Sequence, residues 1–135
     1  MKAVYLLGRM GFGGYFLYSG VRHFQHTEAL AVYVRGKKVP APAIAVRLTG
    51  AAMALGGASM ILGLKPRWGA AAVIGFLAGV SPVMHDFWRR EDAADRQSEM
   101  VNFTKNMALL AAAMMISGME AAKEERAHEP WRQAA

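Results

Sequence analysis

Four stretches of this chain contain no lysine, arginine, aspartate or glutamate. They cover residues 10–21, 48–64, 68–84 and 106–119, and all 16 Lys and Arg and all 10 Asp and Glu of the 135 residues lie outside them. A helix on the surface of a soluble protein needs a polar stripe, which these stretches lack. The pattern therefore excludes a soluble enzyme domain, a disordered chain and a secreted disulfide scaffold, and it predicts a small membrane protein that crosses the bilayer several times.

The lengths of these stretches predict four membrane-spanning helices. A hydrocarbon core of about 30 Å is crossed by roughly 20 helical residues. We expect spans at about residues 3–24, 42–63, 68–87 and 102–122, followed by a polar tail at 123–135. The predicted fold is all-α, an integral membrane four-helix bundle that forms one domain over residues 1–135, with both termini on the same face of the membrane.

The connections between the spans add two local predictions. Thr27 is expected to cap a short interfacial helix from Glu28 to Arg35, between spans one and two, that ends at Gly36. Only residues 64–67 join spans two and three. Because so short a connection cannot cross a bilayer, these two spans form an antiparallel hairpin.

Polar side chains gather at the ends of the spans that lie away from the termini. Ionisable groups at this depth are costly unless they are paired or hydrated, and three of the side chains on span four share a helix face by their i, i+3, i+4 spacing. We predict a polar rim pocket between the helix ends, and the alternative is ordinary capping and snorkelling at the interface. The candidate pocket residues are His23, His85, Asp86, Asn102, Lys105 and Asn106.

Arg9 is a charged residue within span one, and it lies near the face that holds the termini. Glu120 lies at the same level of span four. We predict a buried ion pair between them, with snorkelling of Arg9 to the nearby head groups as the alternative.

Composition excludes several kinds of chemistry. The chain has no cysteine, so disulfides and cysteine metal sites are absent. No pair of histidines at i, i+4 lies within a span and no carboxylate pair supports a metal site, so we expect neither a metal nor a covalently bound cofactor. The net charge of +6 is explained by anionic lipid head groups at the ends of the spans, and we expect no nucleic-acid partner.

Several short motifs follow one another in order along the chain. They are GRMGFGGYFLYSGVRHF at residues 8–24, VPAP at 39–42 with LTG at 48–50, MHDFW at 84–88, and NFTKNMAL at 102–109. In these motifs, over about residues 5–115, the chain resembles the DoxX family. The resemblance implies a small bacterial or archaeal membrane protein of four helices. One branch of that family supplies the membrane subunit of a thiosulfate:quinone oxidoreductase, and other members are linked to membrane-bound oxidoreductive complexes.

The resemblance and the rim pocket together favour a quinone-facing or membrane subunit of an oxidoreductase complex in the inner (cytoplasmic) membrane, with a quinone as a non-covalent cofactor. Lys105 and the two asparagines are expected to bind quinone oxygens, and the histidines to carry protons. The alternative is a non-catalytic membrane anchor or assembly module for a soluble partner. The expected partners are the lipid bilayer, a soluble redox protein and a second copy of the chain.

Overall fold

Helices make up nearly all of the chain that the structure describes, which is residues 2–128 of a computed structural model. The five α-helices are α1 (Lys2–Gln25), α2 (Thr27–Arg35), α3 (Pro42–Leu62), α4 (Pro66–Met84) and α5 (Ala93–His128), with a 3₁₀ turn at Phe87–Arg89 between α4 and α5. The prediction of an all-α fold is confirmed for these residues. Four of the helices are long, and α2 is the short helix expected between the first two spans.

Within the described residues, two segments are long and apolar enough to cross a membrane, judged by length and composition. They are Pro42–Leu62 and Pro66–Arg89, which correspond to predicted spans two and three. Membrane crossings by α1 and α5, and with them the four-span bundle, stay predictions.

Each long helix packs against the next one around a shared core. α1 packs on α3, α3 on α4 and α4 on α5, and the short α2 lies against α3. Side chains from all four long helices form the core, which contains Phe16, Met53, Met60, Ala70, Val73, Leu77, Ala113 and Ile116. This arrangement leaves the ends of the helices opposite the termini to surround a cavity.

Glycines bring the backbones of α1 and α3 into direct contact. A Cβ added at Gly20 would lie 2.5 Å from the Ala54 nitrogen and 2.6 Å from the Gly50 oxygen. A Cβ at Gly57 would collide with the Gly13 oxygen and the Leu17 nitrogen. Small residues allow this close approach, which is the role that the sequence suggests for the many glycines of the spans.

Two local features differ from the predictions. Thr27 does not cap α2, because its hydroxyl donates back to the carbonyls of His23 and Phe24 at 2.9 and 3.1 Å, so the predicted cap is wrong. α5 begins at Ala93, nine residues before the predicted span at 102. The side chain of Asp92 explains this early start, because its Oδ1 accepts hydrogen bonds from the backbone nitrogens of Ala94 and Asp95, both at 2.9 Å.

Candidate functional site

An open cavity of about 500 Å³ lies between the helix ends opposite the termini. All five helices contribute to its walls, which are mainly aliphatic and aromatic. The apolar part of the wall includes Phe16, Leu30, Val46, Met53, Phe76, Leu77, Val80, Met84 and Leu109. Polar groups enter it from Ser19, His23, Tyr33, Thr49, His85 and Asn106. An apolar cavity of this size with a few polar groups is typical of a small-molecule binding site.

His23 reaches the cavity from the last turns of α1. Its Nδ1 lies 2.9 Å from the carbonyl oxygen of Ser19. Because a carbonyl oxygen only accepts hydrogen bonds, Nδ1 carries the hydrogen, and Nε2 of the neutral ring is then an acceptor. The ring also packs edge-on against Phe76, with centroids 6.5 Å apart, which holds the imidazole in the wall of the cavity.

His85, the first residue after α4, lines the same cavity. Its Nδ1 lies 2.8 Å from Oε2 of Glu99, and both side chains are about four-fifths buried. Glu99 is not among the predicted site residues, because it lies between the predicted spans at 68–87 and 102–122, whereas the structure has it in α5. No spacing rule links two residues fourteen positions apart on different elements, so the partner of His85 is visible only in the folded chain.

Asp86 lies next to His85 in the sequence but does not line the cavity. Its Oδ1 accepts hydrogen bonds from Nζ of Lys37 at 2.7 Å and from Nη2 of Arg90 at 3.0 Å. This ion pair joins the connection after α2 to the segment after α4. The chain therefore directs the two neighbouring side chains to different sites.

The three polar residues of α5 are also separated. Asn106 lines the cavity, whereas Lys105 is exposed and Asn102 is only half-buried and outside the lining. Adjacent residues on a helix point about 100° apart, which turns Lys105 away from the face of Asn106. Asn102 shares that face but lies about 6 Å nearer the start of the helix. The structure thus brings His23, His85 and Asn106 to one cavity, and leaves Asp86, Asn102 and Lys105 outside it.

The predicted partners Arg9 and Glu120 meet near the opposite end of the bundle. Nη1 of Arg9 lies 3.1 Å from Oε1 of Glu120, and both side chains are 10% exposed. The same oxygen accepts from the hydroxyl of Tyr5 at 2.6 Å and from Nζ of Lys123 at 2.8 Å. The sequence indicates these two further partners by spacing. Tyr5 precedes Arg9 by four residues and Lys123 follows Glu120 by three, so each shares a helix face with a member of the predicted pair.

Within residues 2–128, no group of three or more His, Asp or Glu side chains is arranged to hold a metal ion. The polar groups that line the cavity are imidazole, hydroxyl and amide groups.

Comparison with known proteins identifies the family. The sequence model of the DoxX family matches residues 4–86, which run from the first turn of α1 to just beyond α4. The motif at residues 102–109 lies beyond the matched range. No curated protein and no solved structure matches the chain. Because the match covers more than half of the chain and includes both segments able to cross a membrane, the protein belongs to the DoxX family of membrane proteins.

Proposed function

We propose that this membrane protein binds a quinone in the cavity between its helices and acts as the quinone-facing subunit of an oxidoreductase complex in the inner membrane. The observation that supports this proposal is the cavity of about 500 Å³ with apolar walls and two imidazoles, His23 and His85, at the helix ends. A quinone has the matching chemistry, since its ring oxygens accept hydrogen bonds and its tail is apolar.

The polar groups of the cavity suit a ligand that gains protons when it is reduced. Nε2 of His23 is left for a ligand, because Nδ1 is engaged by Ser19. Nδ1 of His85 is engaged by the carboxylate of Glu99, so Nε2 is the ring nitrogen of His85 left for a ligand. A ring nitrogen of an imidazole can either donate or accept a proton, so both side chains can exchange protons with a bound molecule. A soluble redox partner would supply the electrons.

Filling the cavity tests the proposal. Gly79 lines the cavity, and a Cβ added there meets nothing within 4 Å. Leucine at this position therefore occupies the space of the ligand without displacing backbone. We expect Gly79→Leu to lower the quinone content of the purified protein about tenfold, as overpacking of a filled site does.

Gly8→Leu is the matched control, because Gly8 is also helical, also has nothing within 4 Å of an added Cβ, and is not part of the lining. Quinone extracted per mole of protein is the measurement. Equal quinone content in Gly79→Leu and Gly8→Leu would refute binding in this cavity.

A pair of polar variants separates the cavity from its surroundings. His85 lines the cavity and Lys105 lies outside it at the same end of the bundle. We expect His85→Leu to reduce quinone content and quinone-dependent activity with the native partner, and Lys105→Met to leave both unchanged. A loss in Lys105→Met that equals the loss in His85→Leu would mean that charge near the membrane surface, and not the cavity, controls the activity.

A second candidate function is an anchor for a soluble partner. It is favoured by residues 91–98, which are all exposed and include acidic and basic side chains at the start of α5. An anchor does not need the cavity. Under this alternative, Gly79→Leu keeps full activity of the complex, whereas reversing the charges of Asp95 and Arg96 releases the partner.

A further inference from the structure

A second depression, of about 480 Å³, collects cations from two separate segments of the chain. Lys37 and Lys38 come from the connection after α2, and Arg89 and Arg90 come from the segment after α4. Among the residues that the structure describes, Asp86 is the one acidic residue of its lining, so four positive charges against one negative charge leave a net charge of +3. This depression, called the basic depression below, shares only Val83 with the cavity.

The donors of the basic depression are only partly satisfied by the chain. Lys37 and Arg90 both donate to the same oxygen of Asp86. Nε of Arg90 is buried and has no hydrogen-bond partner in residues 2–128. A buried donor without an acceptor is unfavourable. Lys38 and Arg89 also line the basic depression and donate to no acceptor within residues 2–128, so an added anion gains hydrogen bonds there that these side chains do not otherwise make.

Lys38 is held in a backbone conformation that lysine rarely adopts. Its φ is +58°, in the left-handed region where glycine is unstrained and other residues pay a cost. Non-glycine residues in such conformations cluster at ligand sites. At this position a glycine would suit the backbone better, but it would remove a cation from the basic depression.

The rest of the lining is apolar. Pro82 and Val83 of α4 and the ring of Trp88 form that wall, and the Trp88 side chain is exposed. Tryptophan is common where a membrane protein meets the lipid head groups. A free phosphate ion has no apolar atoms that could pack on this wall, whereas the glycerol and first acyl carbons of a lipid can pack on it. Basic sites between membrane helices bind anionic lipid head groups in this way.

We propose that the basic depression binds the head group of an anionic phospholipid, with its phosphodiester against Lys38, Arg89 and Arg90. The lipid stands beside the quinone cavity and is separate from it. The proposal does not depend on quinone binding.

Two lysines in the same strained conformation provide a sharp test. Lys38→Gly relieves the left-handed strain and removes one cation from the basic depression. We expect it to keep the protein folded and to weaken binding of phosphatidylglycerol about fivefold, which is the usual effect of one lysine near an anionic lipid surface. Lys65, with φ of +50°, lies in the turn before α4 and outside the basic depression. Lys65→Gly removes the same charge and the same strain, and we expect it to leave binding unchanged.

The measurement is the dissociation constant of phosphatidylglycerol for the full-length protein in dodecylmaltoside micelles, obtained by native mass spectrometry. Arg89→Gln, at an exposed position, is expected to weaken binding to a similar degree and provides a second variant. Three results would overturn the proposal. They are equal losses in Lys38→Gly and Lys65→Gly, equally tight binding of phosphatidylcholine by the wild-type protein, and displacement of the lipid by millimolar inorganic phosphate.

Discussion

Replacing Glu120 by leucine should destabilise the protein more than any other single change at the buried ion pair. Tyr5, Arg9 and Lys123 all donate to one oxygen of this carboxylate, at 2.6, 3.1 and 2.8 Å. The Arg9 side chain is nine-tenths buried, so losing its partner leaves a charge without water or a counter-ion. Removing one member of a buried pair costs about 3–5 kcal/mol in the free energy of unfolding, and we expect Glu120→Leu to fall in this range.

Arg9→Leu should cost less. Glu120 would still accept hydrogen bonds from the hydroxyl of Tyr5 and the ammonium of Lys123, so the carboxylate keeps two donors and one positive charge beside it. We expect a loss of about 1–3 kcal/mol, which is typical when one charged hydrogen bond is removed. In the double variant Arg9→Leu/Glu120→Leu, neither charge is left alone, and the loss should be smaller than the two single losses together by about 1–3 kcal/mol.

Unfolding in dodecylmaltoside micelles by added SDS, followed by far-ultraviolet circular dichroism, measures these free energies. Arg67 and Glu124 form the matched control, because their nitrogen and oxygen are also 3.1 Å apart but the side chains are 46% and 45% exposed. The corresponding double-mutant cycle, which compares the two single variants and the double variant of Arg67 and Glu124, should show a coupling of less than about 1 kcal/mol. Additive losses at Arg9 and Glu120, or a coupling no larger than that of the control, would refute the reasoning.

Three further predictions concern packing, topology and capping. Gly57→Ala should destabilise by about 1–3 kcal/mol because its Cβ meets backbone atoms of α1, whereas Gly14→Ala, where a Cβ meets nothing within 4 Å, should change the free energy of unfolding by no more than about 1 kcal/mol in the same SDS titration. Reporters fused to the two ends of the chain should lie on the same side of the membrane, and opposite sides would contradict four spans. Asp92→Ala should cost about 1 kcal/mol and speed hydrogen exchange in the first turn of α5, because two backbone nitrogens lose their acceptor. Unchanged exchange there would mean that Asp92 does not cap the helix.

The distribution of charge was enough to predict the long helices, because residues that cannot face water must face lipid or one another. Helical register placed Arg9 and Glu120 at one level of the bundle, where the structure also has them. The prediction that Lys105 lines the same pocket as Asn106 was wrong. Neighbouring side chains on a helix point about 100° apart, so Lys105 is exposed although Asn106 lines the cavity. Helical register also contained nothing about the ion pair of Lys37 and Asp86, whose partners are 49 residues apart and meet only after the chain has folded.

The start of α5 is helical although it lies in the charged segment between the predicted spans at 68–87 and 102–122. High polarity does not exclude a helix, because alanine, arginine and glutamate favour helices and the aspartate before them is a strong cap. In a membrane protein, polarity shows where a helix leaves the lipid. It does not show where the helix ends.

The length of α5 has a mechanical consequence. Its 36 residues extend about 54 Å, more than the 40–45 Å of a bilayer with its head groups. No glycine or proline interrupts it between Ala93 and Ser117, so its exposed first turns and the part that lines the cavity form one continuous helical rod. Asn106 is only about 12 Å along that rod from Ser98. A push on the exposed turns of α5 would therefore be transmitted to the wall of the cavity that carries Asn106 and Leu109.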